Sequence, residues 1–250
     1  MSNINNIRIS HCPECLDNAL SGIPCPCNFE EELRKQADDD WNQEDVRFRI
    51  EQLRNDGLPY PKYRQWTFDR DDLRNPEITN TCKAYVEEWP IYRADGKGIV
   101  FMGDTGTGKS FHAGCIANDQ INKNIPVLMS GFRRIIDKLF DAGYGAKRTK
   151  FFEELHKYEL LVLEDVGVER DTAYVSEQFY YIVDEWYLSG KPLIITTNLD
   201  SNKLLTDELD YKRSFDRILE NSILIPMTGD SRRLEIAERN HKKYKDSLEL

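Results

Sequence analysis

The chain has no run of roughly 18 apolar residues of the kind that spans a membrane, and its opening stretch, MSNINNIRISHCPEC, lacks the apolar core of a secretion signal. Both absences lead to the expectation of a cytoplasmic protein with no membrane partner. Positive charge is also in short supply, with 34 Lys and Arg against 44 Asp and Glu and a formal net charge of −10. Such a balance argues against indiscriminate nucleic-acid binding, although a local basic stripe could still bind it, so net charge does not settle the partner. Cysteine is scarce too, six in 250 residues. A reducing compartment disfavours a disulfide framework, and metal is the better explanation for the crowding of four of the six between Cys12 and Cys27. What remains is room for one sizeable α/β core and a smaller appendage.

The appendage comes first. Cys12-Pro-Glu-Cys15 is followed by Cys25-Pro-Cys27. Two close thiolate pairs complete a tetrahedral Cys₄ set, the geometry Zn²⁺ favours, and four sulfurs leave no open position for catalysis. The expectation is a structural zinc lobe, with His11 as an alternative to one thiolate. A redox CxxC is disfavoured because no strand precedes it. From Asn28 the chain turns into one long or two consecutive amphipathic helices, with Phe29, Leu33, Ala37 and Trp41 four apart and Val46, Ile50 and Leu53 continuing the stripe. Gly57-Leu-Pro-Tyr-Pro then breaks the helix. Two domains are expected: residues 1–56, a zinc lobe and helix suited to partner docking, and residues 57–250, a nucleotide-binding domain. Tyr63, Trp66 and Phe68 form an aromatic cluster near its start, placed either against a base and ribose or in the core. Residues 76–89 predict a helix.

Gly98 to Ser110, GIVFMGDTGTGKS, organises the rest. A strand-like run meets Gly103-Asp104-Thr105-Gly106-Thr107-Gly108-Lys109-Ser110, which fits the phosphate-loop pattern GxxxxGK[ST] at every fixed position. Glycines let consecutive amide N–H groups point at phosphates, and the next helix offers its positive end to the same charge. Lys109 is placed to reach the β/γ-phosphates and Ser110 to ligate Mg²⁺; Phe111 completes the cofactor-binding set.

Strands and helices then alternate, which predicts a parallel sheet with helices on both faces. Residues 126–130 are a second strand and residues 131–142 a helix carrying Arg133, Arg134 and Lys138. After Gly143-Tyr-Gly145, Lys147, Arg148 and Lys150 make a second basic cluster. Together they could bind single-stranded DNA, with Tyr144 or Phe132 for stacking, or be a solvated face. Leu160 to Leu163 is a buried-strand run ending in Glu164-Asp165, the carboxylate pair of a Walker B site. By position Glu164 takes the Mg²⁺ side and Asp165 the water side. The usual order is Asp then Glu, so slow hydrolysis is expected. Residues 172–188 form an aromatic-rich helix, and the strand from Lys191 ends at Asn198, placed to sense a γ-phosphate or to cap the next segment. A helix then carries Arg213 and Arg217, a last strand covers residues 223–226, and Gly229-Asp-Ser-Arg232-Arg233 opens a closing helix.

The phosphate loop, LLVLED, ITTN, the RSFDR helix and GDSRR, in this order, resemble the AAA+ ATPases of the DnaC/IstB-like group: bacterial and phage helicase loaders and the ATP-binding helpers of some transposons. The resemblance runs from about Tyr63 to the C-terminus, and the four-cysteine segment with its acidic helix resembles the N-terminal part of Gram-positive and phage loaders. It implies a P-loop NTPase fold of AAA+/RecA-like type using ATP and Mg²⁺. It also implies that Asn198 is sensor 1, Arg217 the arginine finger with Arg213 competing, and Arg233 sensor 2 with Arg232 competing.

The expected function is an ATP-dependent loader of a hexameric replicative DNA helicase onto single-stranded DNA, self-associating in its ATP-bound form. Rival expectations are an IstB-like transposition helper that marks duplex DNA, and an ATP-switched binding module with negligible hydrolysis.

Overall fold

The computed structural model describes residues 29–167, 173–199 and 212–248, with side chains described for 43–167, 174–199 and 212–245. Cys12, Cys15, Cys25 and Cys27 lie outside the described residues. The other two cysteines, Cys82 and Cys115, are buried free thiols. Among the described residues no cluster of His, Cys, Asp and Glu is arranged to hold a metal, and no helix is long and apolar enough to cross a membrane.

Helix α1 (Phe29–Gly57) is a single helix rather than two. The chain divides into two compact units, Met1–Arg49 and Ile50–Leu250. In the first, residues 43–49 are exposed, Val46 and Phe48 among them. In the second, Ile50 and Leu53 of the last turns of α1 pack on the core, and Arg54 donates a hydrogen bond to Asn122 Oδ1 at 2.7 Å.

The elements that follow are α2 (Pro76–Glu87), α3 (Trp89–Ala94), β1 (Gly98–Gly103), α4 (Lys109–Asn122), β2 (Val127–Gly131), α5 (Phe132–Ala142), α6 (Ala146–Leu155) and β3 (Leu160–Val166). After them come α7 (Ala173–Leu188), β4 (Leu193–Thr197), α8 (Lys212–Glu220), β5 (Ser222–Met227) and α9 (Arg232–Leu248). The helix expected through Trp89 breaks at Glu88 and restarts as α3, with Pro90 in the first turn, where a missing N–H costs nothing. Helix α6 continues the second basic cluster, which the sequence pattern showed only as a charge run.

Five strands form one parallel sheet in the order β2-β3-β4-β1-β5. Both faces are covered, so the strands read as continuous apolar runs rather than alternating ones. Ile99 and Phe101 of β1 face a layer built by α2 and α4, with Tyr85, Val86, Ile116 and Ile121. Val100 and Met102 face the opposite layer, with Phe132 and Ile135 of α5, Phe179 and Trp186 of α7 and Phe215 of α8. Trp186 is wholly buried and still donates Nε1–H to the Pro192 carbonyl at 2.9 Å, so its burial leaves no unpaired donor. Strand β5 carries Pro226, which an edge strand tolerates because one side of its ladder is unpaired.

Strand order decides the layout of the site. β4 is inserted between β1 and β3, so three loops emerge side by side at the C-terminal edge of the sheet, where parallel α/β folds bind ligands.

Candidate active site

The loop after β1 is shaped by left-handed backbone at Gly103 (φ 117°), Gly106 (φ 86°) and Gly108 (φ 106°). Only glycine fits the first two. A Cβ at Gly103 would lie 2.5 Å from the Met227 carbonyl oxygen, and one at Gly106 would lie 2.1 Å from Ser231 Oγ. Its outer side is stapled to the turn after β5: Asp104 N–H donates to the Met227 carbonyl at 3.0 Å and Arg232 N–H to the Gly106 carbonyl at 3.0 Å. Inside the loop, Lys109 Nζ donates to the Gly103 and Asp104 carbonyls at 2.8 and 2.6 Å. Burial pulls the Lys109 ammonium below its usual pKa, opposed by Asp165 and Asp104.

Glu164 at the end of β3 is buried, 6% exposed. Burial raises its carboxyl above the ordinary range, with the Ser110 and Tyr63 hydroxyls opposing. Asp165 is turned outward instead. It has φ 56° and is exposed, its N–H donates to Thr196 Oγ1 at 3.0 Å, and the β3–β4 register slips between Leu163 and Val166. The irregularity aims adjacent carboxylates differently, one at the Ser110 hydroxyl and one at the cleft.

The cleft holds about 690 Å³. Thr105, Gly106, Gly108, Lys109, Ser110 and Phe111 line it from the loop and α4, Asp165 and Asn198 from the strand ends, and Arg232, Arg233, Ile236 and Arg239 from α9. Arg233 is exposed, and its charge is felt by both Lys109 and Glu164. Arg232 is engaged, with Nη1 3.1 Å from Asp72 Oδ1, while its Nη2 is buried without a hydrogen-bond partner among the described residues. Gly103, Asp104 and Thr107 shape the loop from behind, Thr107 Oγ1 donating to the Asp104 carbonyl at 2.9 Å.

The other two groups of expected site residues lie outside this cleft. Arg217 is paired with Asp184 on α7, and Arg213 is exposed on the same helix, α8, with no ion pair among the described residues. In the basic segment Lys138, Lys147 and Lys150 are exposed. Arg133 pairs with Asp137 at 2.9 Å, the Arg134 guanidinium lies 5.1 Å from the Tyr60 ring centroid, and Arg148 donates to Gln178 Oε1 at 3.1 Å while stacking 4.7 Å from Tyr181. Phe132, expected as a stacking residue, is 1% exposed and belongs to the core, because it is the first residue of the α5 stripe that packs on the sheet. Tyr144 is 87% exposed.

The sequence patterns missed the wall contributed by the segment before α2: Lys62, Arg70, Asp72 and Arg74. No motif marks them, since only the fold brings them to the cleft; the bidentate Arg74–Glu235 pair ties this wall to α9. Trp66, of the aromatic cluster, has two sets of neighbours. It lines the cleft and packs on α4 so closely that a Cβ at Gly114 would lie 2.5 Å from its ring.

These residues fit a nucleoside triphosphate with Mg²⁺. The glycine-shaped loop lines the cleft, the Lys109 ammonium is held by loop carbonyls, and the Ser110 hydroxyl acts on the buried Glu164 carboxyl. Fold and site thus define a P-loop nucleotide-binding protein of AAA+ type. The family model described as IstB-like ATP binding protein matches residues 91–240, and the chain belongs to that family. It is 28% identical over 165 residues to the replicative helicase loader DnaC of Escherichia coli strain K12, a match covering 64% of this chain and 64% of that protein. It is 27% identical over 143 residues to an ATP-binding protein in an insertion sequence of Mycobacterium tuberculosis, covering 55% and 56%. Among solved structures, the crystal structure of the DnaC helicase loader matches with a TM-score of 0.58 at 24% identity, covering 68% of this chain and all of that one, a likeness of fold.

Proposed function

We propose that the chain is an ATP-dependent loader of a hexameric replicative DNA helicase onto single-stranded DNA. The observation that supports this most directly is the convergence of Lys109, Ser110, Asp165, Asn198 and Arg233 on one cleft, in a chain with loader relatives. Lys109 and the loop amides would hold the phosphates, and Ser110 and Glu164 the Mg²⁺, which supplies charge neutralisation when bound. Asp165, aimed at the cleft, orients the attacking water. Asn198 sits between Asp165 and the loop, as a γ-phosphate sensor should. Arg213 or Arg217 of a neighbouring copy completes the site, so ATP sets self-association and slow hydrolysis sets release. Lys138, Lys147 and Lys150 grip the strand. Residues 1–56 dock the helicase, and Cys12, Cys15, Cys25 and Cys27 hold zinc, a reading that rests on their spacing alone.

The insertion-sequence relative supports a second reading, a transposition helper acting on duplex DNA. One experiment separates them. The full chain is incubated with the hexameric helicase of its own host, with ATP or without nucleotide, and DNA binding is measured on single strands and duplex. Helicase capture with ATP and preference for single strands supports the loader. No capture together with preference for duplex overturns it in favour of the helper.

A further inference from the structure

A buried carboxylate beside the phosphate loop takes no part in the chemistry described above. Asp71 closes the short 3₁₀ turn Phe68–Arg70, between α1 and α2, and its side chain is 0% exposed. A carboxylate taken out of water is tolerated only where its neighbours compensate the lost hydration.

Two routes lead from those neighbours to Gly108, the last glycine of the loop. On the first, the Thr79 hydroxyl of α2 donates to Asp71 Oδ2, and Thr79 Oγ1 also lies 3.4 Å from His112 Nε2. The other ring nitrogen, His112 Nδ1, is 3.0 Å from the Gly108 carbonyl oxygen. A carbonyl only accepts, so Nδ1 carries the proton and the ring is fixed at both ends. Thr79 and His112 are both buried, so bulk water does not compete for these links.

On the second route, Arg232 Nη1 lies 3.9 Å from Asp71 Oδ1 and 3.1 Å from Asp72 Oδ1. Both routes end at the same place. A Cβ on Gly108 would lie 3.1 Å from Arg232 Nη1 and 3.5 Å from His112 Nδ1, so the guanidinium and the imidazole together cover this glycine. Asp71 is the one side chain within ion-pair distance of both.

A loop whose amides have to be ordered when phosphate arrives gives up affinity to that ordering, and a loop set beforehand does not. We propose that Asp71 is a positioning residue, which presets the phosphate loop at Gly108 through Thr79 and His112 on one side and Arg232 on the other. The proposal rests on the reading of the cleft as a nucleotide site.

The test uses the full chain and Asp71→Asn, which keeps an acceptor for Thr79 and removes the charge. Binding of fluorescent ATP and ADP analogues is measured beside His112→Leu, the double variant Asp71→Asn/His112→Leu and Lys109→Ala, with adenosine as a competitor that carries no phosphate. Asp71→Asn should weaken both nucleotides on the order of tenfold, as expected for a lost charge-assisted contact, and leave adenosine competition unchanged. The double variant should lose less than the product of the two single losses, because both act through one chain of contacts. If Lys109→Ala weakens nucleotide binding and Asp71→Asn does not, the proposal fails and the nucleotide site stands. If Asp71→Asn weakens adenosine as much as ATP, with a lowered thermal midpoint, the role is packing and the proposal fails. If the two single losses multiply, Asp71 does not act through His112 and the proposal fails. If Lys109→Ala leaves nucleotide binding intact, the reading of the cleft falls and takes the proposal with it.

Discussion

Arg217 is paired with Asp184, and its guanidinium lies 4.9 Å from the Tyr180 ring centroid and 5.6 Å from that of Tyr187, so it is engaged within its own chain. Arg213, one turn earlier on α8, is exposed. A finger has to be free to reach a neighbour's phosphate, which favours Arg213 over the positional match. Arg213→Ala is expected to lower ATP turnover of the assembled protein by about 10³-fold with an unchanged melting temperature. Arg217→Ala should instead cost about 1–2 kcal/mol of stability, from a part-exposed ion pair and its ring contacts. Denaturant titrations and concentration-dependent turnover separate the two. The reverse pattern would return the finger role to Arg217.

Asp165 holds φ 56° with a side chain exposed in the cleft, a conformation that costs a non-glycine residue free energy and is kept where it serves a site. Replacing it by glycine should raise stability by about 1 kcal/mol in urea unfolding while abolishing turnover. Asp165→Asn tolerates the same backbone, so it should bind nucleotide normally and lose turnover by about 10²–10⁴-fold, the range for a positioned general base. Wild-type turnover in Asp165→Asn would remove Asp165 from the water side.

Much of this site was legible because phosphate chemistry demands contiguous residues. The loop from Gly103 to Ser110 is a local device, and the end of an apolar run marks Glu164 and Asp165 without a fold. The placement of Asn198 between them followed once β4 was taken as the neighbour of β3, and the sheet order agrees. Residues that act across the fold left no such trace. Asp72 and Arg74 look like part of a charged loop until α9 meets them, and Tyr63 reads as one of several core aromatics until Asn118 clamps its turn. Phe132 misled for the converse reason: beside two arginines it looks available for stacking, yet a helix stripe decides its side and buries it.

The exposed basic face separates charge from packing in a way that binding measurements can read. Lys147 and Lys150 are exposed on α6 and Tyr144 stands just before it, whereas Arg148 is committed to Gln178 and Tyr181. If a single strand lies along this face, each lysine releases counterions. Lys147→Ala with Lys150→Ala should then flatten the slope of log affinity against log salt by about 1.4 for an oligo-dT, at about 0.7 per phosphate contact. Tyr144→Ala should leave that slope alone and weaken binding by about 1–3 kcal/mol through a lost base stack. Arg148→Ala should act on thermal stability first, because its guanidinium ties α6 to α7. Salt slopes from fluorescence anisotropy decide the matter: an unchanged slope in the double lysine variant would show that the strand binds elsewhere.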